Sequence, residues 1–450
     1  MLMGLAQITP SEKLEWHPCF GDTFRCARLT VPMDYHRPLN ESAEHPKVHL
    51  ALMLLPSQKG NASGGGDPAS YGESPLLVNP GGPGGSGTGF MQITGSMFQD
   101  VVGRHRDVIG FDPRGVGATT PPTDCFAVPE ERRRDGADVS MINRLTWLIS
   151  GHDVGLVNSS DVALGKIDVR ARALAKLCKK ADDLHGENSI FRYANTANVA
   201  RDMLSIVDAW DEWRSASQDG KTELPKEPAA DAPSAQHEAP GGDPVRNLST
   251  KGKLVYWGFS YGSLLGATFA AMFPDRVGRV VLDGVVDADH YVEPTWVDSL
   301  VDADAIWEAF FTGCHEAGYK CKFYRDGDSI DDLRERFYAL MDQLQERPAI
   351  VIPSAPAANF PILITASDIK VAVFASLYAP NAAFAQIALL LDLILENGMS
   401  PWAGAPVLPH FCHGTSSISL FNEAQAAIMC SDKRYKVKCP VPMSGSRGEE

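Results

Sequence analysis

"KLVYWGFSYGSLLGATFAAMFPDRV", residues 253–277, carries three local signals in succession. Lys253 to Gly258 is a short apolar run that ends at glycine, the pattern of a buried strand. Ser263 to Phe273 is rich in small and apolar residues, and it reads as a helix closed by Pro274. Between them stands Gly258-Phe259-Ser260-Tyr261-Gly262, a G-x-S-x-G turn in the strand–turn–helix setting that such a turn requires. A serine held there projects its hydroxyl past the end of the sheet. The glycines two residues to either side let strand and helix approach where a side chain would collide. Ser260 is therefore the candidate nucleophile, and the backbone N–H of Tyr261 is a candidate donor to a developing oxyanion.

A second donor should come from a loop after an earlier strand, because acyl transfer needs two N–H groups aimed at one oxygen. "LVNPGGPGGSG", residues 77–87, supplies that loop: an apolar run, then glycines stiffened by Pro80 and Pro83. Gly81 and Gly82 are the candidate positions. A phosphate cradle is the competing reading, but no Lys-Ser/Thr follows the glycines, and no G-x-G-x-x-G leads into a recognisable helix. The reading therefore expects no nucleotide or other cofactor. It expects no metal either, since none of the nine cysteines has zinc-site spacing.

Elsewhere the pattern gives strands at Phe24 to Pro32, Lys47 to Leu55, Leu76 to Asn79, Arg106 to Asp112 and Arg279 to Asp283. Helices are expected at Val162 to Leu184, Asn198 to Trp213, Ile369 to Tyr378 and Ala383 to Asn397. Strands first, then strands alternating with helices, predict an α/β sheet whose later part is parallel. Residues 57–74 and 215–250 have no periodicity and read as surface insertions. With 44% hydrophobic and 22% charged residues, the 450-residue chain can bury a large core, and its formal net charge of −15 argues against nucleic acid or an anionic membrane as partner. Residues 1–10 show no basic flank and apolar stretch of a secretory leader. Against that, the pairs Cys19/Cys26 and Cys314/Cys321 and the Asn-X-Ser/Thr triplets at Asn40, Asn61, Asn158 and Asn247 have the look of a secreted protein.

"NPGGPGGSG", "DVIGFDPRGVGATTP", "YANTANVARDMLSIVDAW", "YWGFSYGSLLGATFAAMFPDRVGRVVLDGVVD" and "AIMCSDKRY" together resemble, in order and spacing, the prolyl and tripeptidyl aminopeptidase-like branch of the α/β-hydrolase serine peptidases, over most of residues 15 to 435. The resemblance implies an α/β-hydrolase core over 15–286, a helical cap over 287–432 inserted after the sixth core strand, and an irregular tail over 433–450. It implies release of short N-terminal units, or of proline, from peptides with a free α-amino group. It also makes Ser260 the nucleophile, Asn79 to Gly85 the oxyanion loop and Asp112-Pro113-Arg114-Gly115 a structural turn beside it. Family members continue into two more strands that bring the triad aspartate and then the histidine. "KVKCPVPMSGSRGEE", residues 436–450, has neither, so the chain reads as a shortened form without the last core strands.

Within the sequence, Asp368 followed by His410 or His413 preserves the order Ser, Asp, His and is the alternative acid and base. The plainer reading has Ser367 cap a helix that starts at Asp368. Asp283 and Asp287 are further conceivable acids. Glu293, Asp298, Asp302, Asp304 and Glu308 could pair with a substrate ammonium, although an acidic helix face in an acidic protein is the simpler account. Three functions follow: an exopeptidase-like serine hydrolase, an inactive hydrolase-fold protein that binds peptides or a partner, and an esterase or lipase sharing the same turn.

Overall fold

The computed structural model describes residues 4–21, 23–42, 44–58, 74–128, 139–219, 249–293, 300–351, 361–396 and 421–433. They divide into two compact units, one formed by residues 1–125, 180–295 and 416–450, the other by 126–179 and 296–415. The sequence reading placed the second unit at 287–432. The division differs from it at three places, because residues 126–179 cluster with the second unit and residues 287–295 and 416–432 with the first.

The first unit is built on a seven-stranded sheet of β1 (His17–Cys19), β2 (Phe24–Pro32), β3 (Lys47–Leu55), β4 (Leu76–Asn79), β5 (Val108–Phe111), β6 (Leu254–Phe259) and β7 (Val277–Asp283) in the order β1-β2-β3-β5-β4-β6-β7. β1, β2, β3 and β5 pair antiparallel, while β5, β4, β6 and β7 run parallel. The central strands β4 and β5 are buried along their whole length, as a sheet covered on both faces requires. One face carries Ala51, Met53, Leu55, Val78, Val108 and Val255 against Met91 and Phe98 of helix α1 (Gly87–Val102). The helices α4 (Thr196–Asp219) and α5 (Tyr261–Met272) pack on each other and on the sheet, and a short α6 (Ala288–Val292) follows β7. α4 runs to Asp219, so residues 215–219, expected within an insertion, are helical. The rest of the two predicted insertions, 59–73 and 220–248, lies outside the described residues.

Helix α1 was not anticipated. Its sequence, GTGFMQITGSMFQDVV, holds three glycines and two threonines, poor helix formers that blur the periodicity. Packing explains them: a Cβ on Gly87 would lie 2.1 Å from the Phe111 carbonyl oxygen, so only glycine lets the helix start against β5. Ser86 caps this helix, accepting the Gly89 N–H at 2.9 Å. Gly82 to Gly87, a G-x-G-x-x-G run, does therefore lead into a helix, contrary to the sequence reading, and only the absent Lys-Ser/Thr pair still speaks against a phosphate cradle.

The second unit contains α2 (Val139–Ile149), α3 (Ala163–His185, to Lys179), α7 (Ala303–Ala317), α8 (Ile330–Glu346), α9 (Ala366–Ser376) and α10 (Pro380–Leu395), with a small antiparallel pair β8 (Ala349–Val351) and β9 (Ile362–Ile364). Its core gathers Phe310, Phe311, Phe323 and Phe337 around Trp307, whose ring stacks on Phe310 at 4.6 Å. The last described helix, α11 (Phe421–Asp432), belongs to the first unit.

Both close-set cysteine pairs are disulfides, Cys19–Cys26 and Cys314–Cys321, each spanning a sequence separation of 7, and Cys125 and Cys178 are disulfide-bonded as well. Closing a loop this short removes denatured-state entropy worth about 2–3 kcal/mol. Reduction is therefore expected to lower the thermal midpoint, and Cys314→Ser with Cys321→Ser should reproduce part of the loss. Unchanged melting curves with and without a reductant would contradict this. No described helix is long and apolar enough to cross a membrane.

Candidate active site

Gly258-Phe259-Ser260-Tyr261-Gly262 folds as the sharp turn from β6 into α5. Ser260 has φ 53 and ψ −123, a left-handed conformation unusual for a residue with a side chain. Three interactions hold it there. The Ser260 N–H donates to the Asp283 carbonyl at 2.9 Å, and the Ser263 N–H and hydroxyl both donate to the Ser260 carbonyl at 2.8 and 2.6 Å. Beneath the turn the fully buried Tyr256 donates its hydroxyl to the Gly262 carbonyl at 2.8 Å. A Cβ on Gly258 would sit 2.3 Å from the Gly262 oxygen, and one on Gly262 would sit 2.8 Å from the Asn79 oxygen. Both glycines of the motif are thus dictated by backbone crowding.

The glycine loop after β4 lies directly against this turn. A Cβ on Gly81 would stand 2.3 Å from the Phe259 oxygen, 2.9 Å from the Tyr261 nitrogen and 3.1 Å from the Ser260 Cβ. Gly81 and Gly82 both have positive φ, +88° and +118°. The structure also separates the two candidate donors. The Gly81 N–H is given to the Asn79 side chain at 2.9 Å, whereas the Gly82 N–H has no partner among the described residues. Tyr261 is the first residue of α5, so its N–H has no acceptor within the helix. Two unspent donors, Gly82 N–H and Tyr261 N–H, are therefore carried by segments in backbone contact beside one serine.

Asp112 ties this loop to the turn after β5. Its carboxylate accepts from the Ser86 hydroxyl at 2.8 Å, the Thr88 N–H and hydroxyl at 2.9 and 3.0 Å, and the Ala118 N–H at 2.8 Å. Burial pushes its pKa up while these four donors oppose the shift. The neighbouring Arg114 is fully buried and reaches the α4 residue Asp202 through two contacts of 2.6 and 2.7 Å. Burial would lower its pKa, and the Asp202 carboxylate more than restores it.

The other predicted site residues stand differently. Asp368 is the third residue of α9, whose N-cap is Thr365 rather than Ser367. Its carboxylate accepts the Thr365 N–H and hydroxyl, both at 2.8 Å, and meets His152 at 3.3 Å. These bonds make Asp368 half of a capping box, which corrects its reading as a triad acid. His410, His413 and Asp298 lie outside the described residues. Asp287 caps α6, and Asp283 accepts the Trp257 indole N–H at 3.2 Å. Glu293 is exposed beyond α6, whereas Glu308 is held by Arg334 at 2.7 Å. Among the described residues the Ser260 hydroxyl has no hydrogen-bond partner, and no three His, Cys, Asp or Glu side chains gather as a metal site.

The family described as alpha/beta hydrolase fold matches residues 243–352, the segment that contains the turn. The chain has the α/β-hydrolase fold. The chain is similar, at 24% identity over 441 residues covering 95% of it and 68% of the relative, to the serine protease Hip1 of Mycobacterium tuberculosis. It is similar to the tripeptidyl aminopeptidase of Streptomyces lividans at 25% identity over 345 residues, 74% of the chain and 50% of the relative. Over 104 residues, 23% of the chain and 17% of the relative, it is 38% identical to carboxylesterase B of M. tuberculosis. Two of these relatives are named as peptidases and the third as an esterase, and the chain spans about half the length of the aminopeptidase and two thirds of Hip1.

Proposed function

We propose that the chain carries the acylation half of a serine peptidase of the aminopeptidase type, with Ser260 as nucleophile and the N–H groups of Tyr261 and Gly82 as oxyanion donors. The observation that carries this reading is the backbone contact of Gly81 with Phe259, Ser260 and Tyr261, which brings two unspent donors beside one strained serine. In the reaction the Ser260 Oγ attacks the scissile carbonyl carbon as its proton passes to a base, and the carbonyl oxygen becomes an anion between the two donors. Collapse expels the amine of the leaving segment, which takes up that proton, and leaves an acyl group on Ser260. Water then releases it. The base has to come from residues other than the described neighbours of Ser260, and His410 and His413 are the first to substitute.

The substrate in this reading is a peptide with a free N-terminus, supported by the similarity to a tripeptidyl aminopeptidase. Glu293, exposed just past α6, is the described carboxylate offered for its ammonium. The short, more identical match to a carboxylesterase favours a second reading, an esterase using the same serine.

Labelling the chain with a fluorophosphonate, with Ser260→Ala as control and mass spectrometry to find the adduct, tests the proposal. An adduct on Ser260 that the control lacks is expected. Its absence from folded protein would sink the nucleophile assignment and leave the binding-protein reading. Peptides with free and blocked N-termini, set beside simple acyl esters, then separate aminopeptidase from esterase.

A further inference from the structure

The AIMCSDKRY element, residues 427–435, took no part in the chemistry above, yet the helix that carries it reaches both proposed oxyanion donors. At one end of α11 the Gln425 Nε2 donates to the Gly82 carbonyl at 3.4 Å. At the other, Asp432 accepts the Thr196 N–H at 2.9 Å, the Thr196 hydroxyl at 2.5 Å and the Tyr291 hydroxyl at 3.0 Å. Thr196 in turn contacts the Tyr261 hydroxyl at 2.6 Å. A carboxylate only accepts, so the Thr196 proton points at Asp432, and the Tyr261 hydroxyl must then donate to Thr196. The chain Tyr261, Thr196, Asp432 is thus polarised in one direction, and it pins a tyrosine ring that is itself fully buried. The helix is fixed besides by Ala424 and Ile428, each 1% exposed, by Glu423 accepting the Cys125 N–H at 2.6 Å, and by the Lys433 ammonium donating to the Tyr291 and Glu293 carbonyls.

We propose that α11 is a latch for the oxyanion site, with Gln425 positioning Gly82 and Asp432, through Thr196, positioning Tyr261. The proposal rests on the reading of Gly82 and Tyr261 as donors. Gln425 and Asp432 are positioning residues, since neither need touch substrate. The loop and the turn touch through their backbones, but the contact at Gly81 alone does not fix the directions of both N–H groups, and tolerances of roughly 0.5 Å matter for such groups. Burial pushes the Asp432 carboxyl's pKa up, while its donors and Lys433 oppose this.

The test uses the whole chain, Asp432→Ala, Asp432→Asn and Gln425→Ala, with two readouts: hydrogen exchange of the segments 77–86, 259–266 and 47–55, and the rate of fluorophosphonate capture at Ser260. In Asp432→Ala the 259–266 segment should exchange at least about threefold faster, and in Gln425→Ala the 77–86 segment should, with 47–55 unchanged. Capture should slow about 10–100-fold, a fraction of the loss seen when a donor is removed outright. Asp432→Asn keeps an acceptor for Thr196 and should recover much of that loss. Exchange and capture at the level of the unsubstituted chain would overturn the proposal. So would acceleration spread equally to 47–55, which would make α11 a general support of the sheet. If the unsubstituted chain takes up no phosphonate, the reading of Ser260 fails, and exchange alone judges the latch by the same two criteria.

Discussion

Arg114→Met is expected to destabilise the sheet unit by about 3–5 kcal/mol, the usual loss when one member of a buried ion pair is removed. Both side chains of the Arg114–Asp202 pair are 0% exposed, so the substitution strands a carboxylate that water cannot reach. Asp202 would keep the Tyr35 hydroxyl, which donates to it at 2.7 Å, but one neutral donor does not offset a buried charge. The guanidinium also donates to the Met33 carbonyl at 2.7 Å and the Pro32 carbonyl at 3.1 Å, so its loss leaves the end of β2 with unsatisfied acceptors too. At about 2–4 °C per kcal/mol for a unit of this size, the thermal midpoint should fall roughly 6–20 °C. Arg114→Met combined with Asp202→Leu should recover part of the loss, because the pair leaves together. A single variant that melts within a degree or two of the parent would show that the pair is not what holds α4 to the turn after β5.

Gly81→Ala should do more damage to chemistry than to stability. The residue sits at φ +88°, where an L side chain costs about 1–2 kcal/mol, and its Cβ would meet the Phe259 carbonyl at 2.3 Å. That neighbour is backbone inside β6 and cannot swing aside, so the loop must lift from the turn, carrying the Gly82 N–H away from Ser260. Phosphonate capture is expected to fall at least about 100-fold. Gly165→Ala is the control: nothing lies within 4 Å of its Cβ, and alanine there should be neutral or mildly stabilising. Capture by Gly81→Ala at the parent rate would mean that the loop is no part of the oxyanion site.

The candidate site was legible where its geometry left a local signature. G-x-S-x-G between an apolar run and a small-residue helix located Ser260, and the glycine loop was found because stereochemistry forces glycine wherever two backbones touch. The strands at 24–32, 47–55 and 76–79 were legible to the residue, since each is mostly apolar and ends at, or just before, a proline. Helix α1 escaped because close packing selected the very glycines that periodicity counts against a helix. Asp368 misled because an acid after a strand-like run is shared by triad acids and capping boxes, and only the bond from Thr365 distinguishes them. The sequence reading set Gly82 beside Tyr261 as the donor and Gly81 in the loop, and the physical reason is an Asx turn: the Asn79 side chain accepts the Gly81 N–H two residues on.

The contact between Gln425 and Gly82 spans 343 positions of the chain. At ribosomal rates of about 5–20 residues per second, roughly 20–70 s separate the synthesis of the glycine loop from that of the helix that touches it. Ser260 is made about halfway through that interval, and for the rest of it the nascent polypeptide holds the serine turn against the glycine loop without α11. If α11 is the latch, the two N–H donors of the nascent chain lack their support until this helix is made, so the turn and loop alone should capture an acyl group slowly.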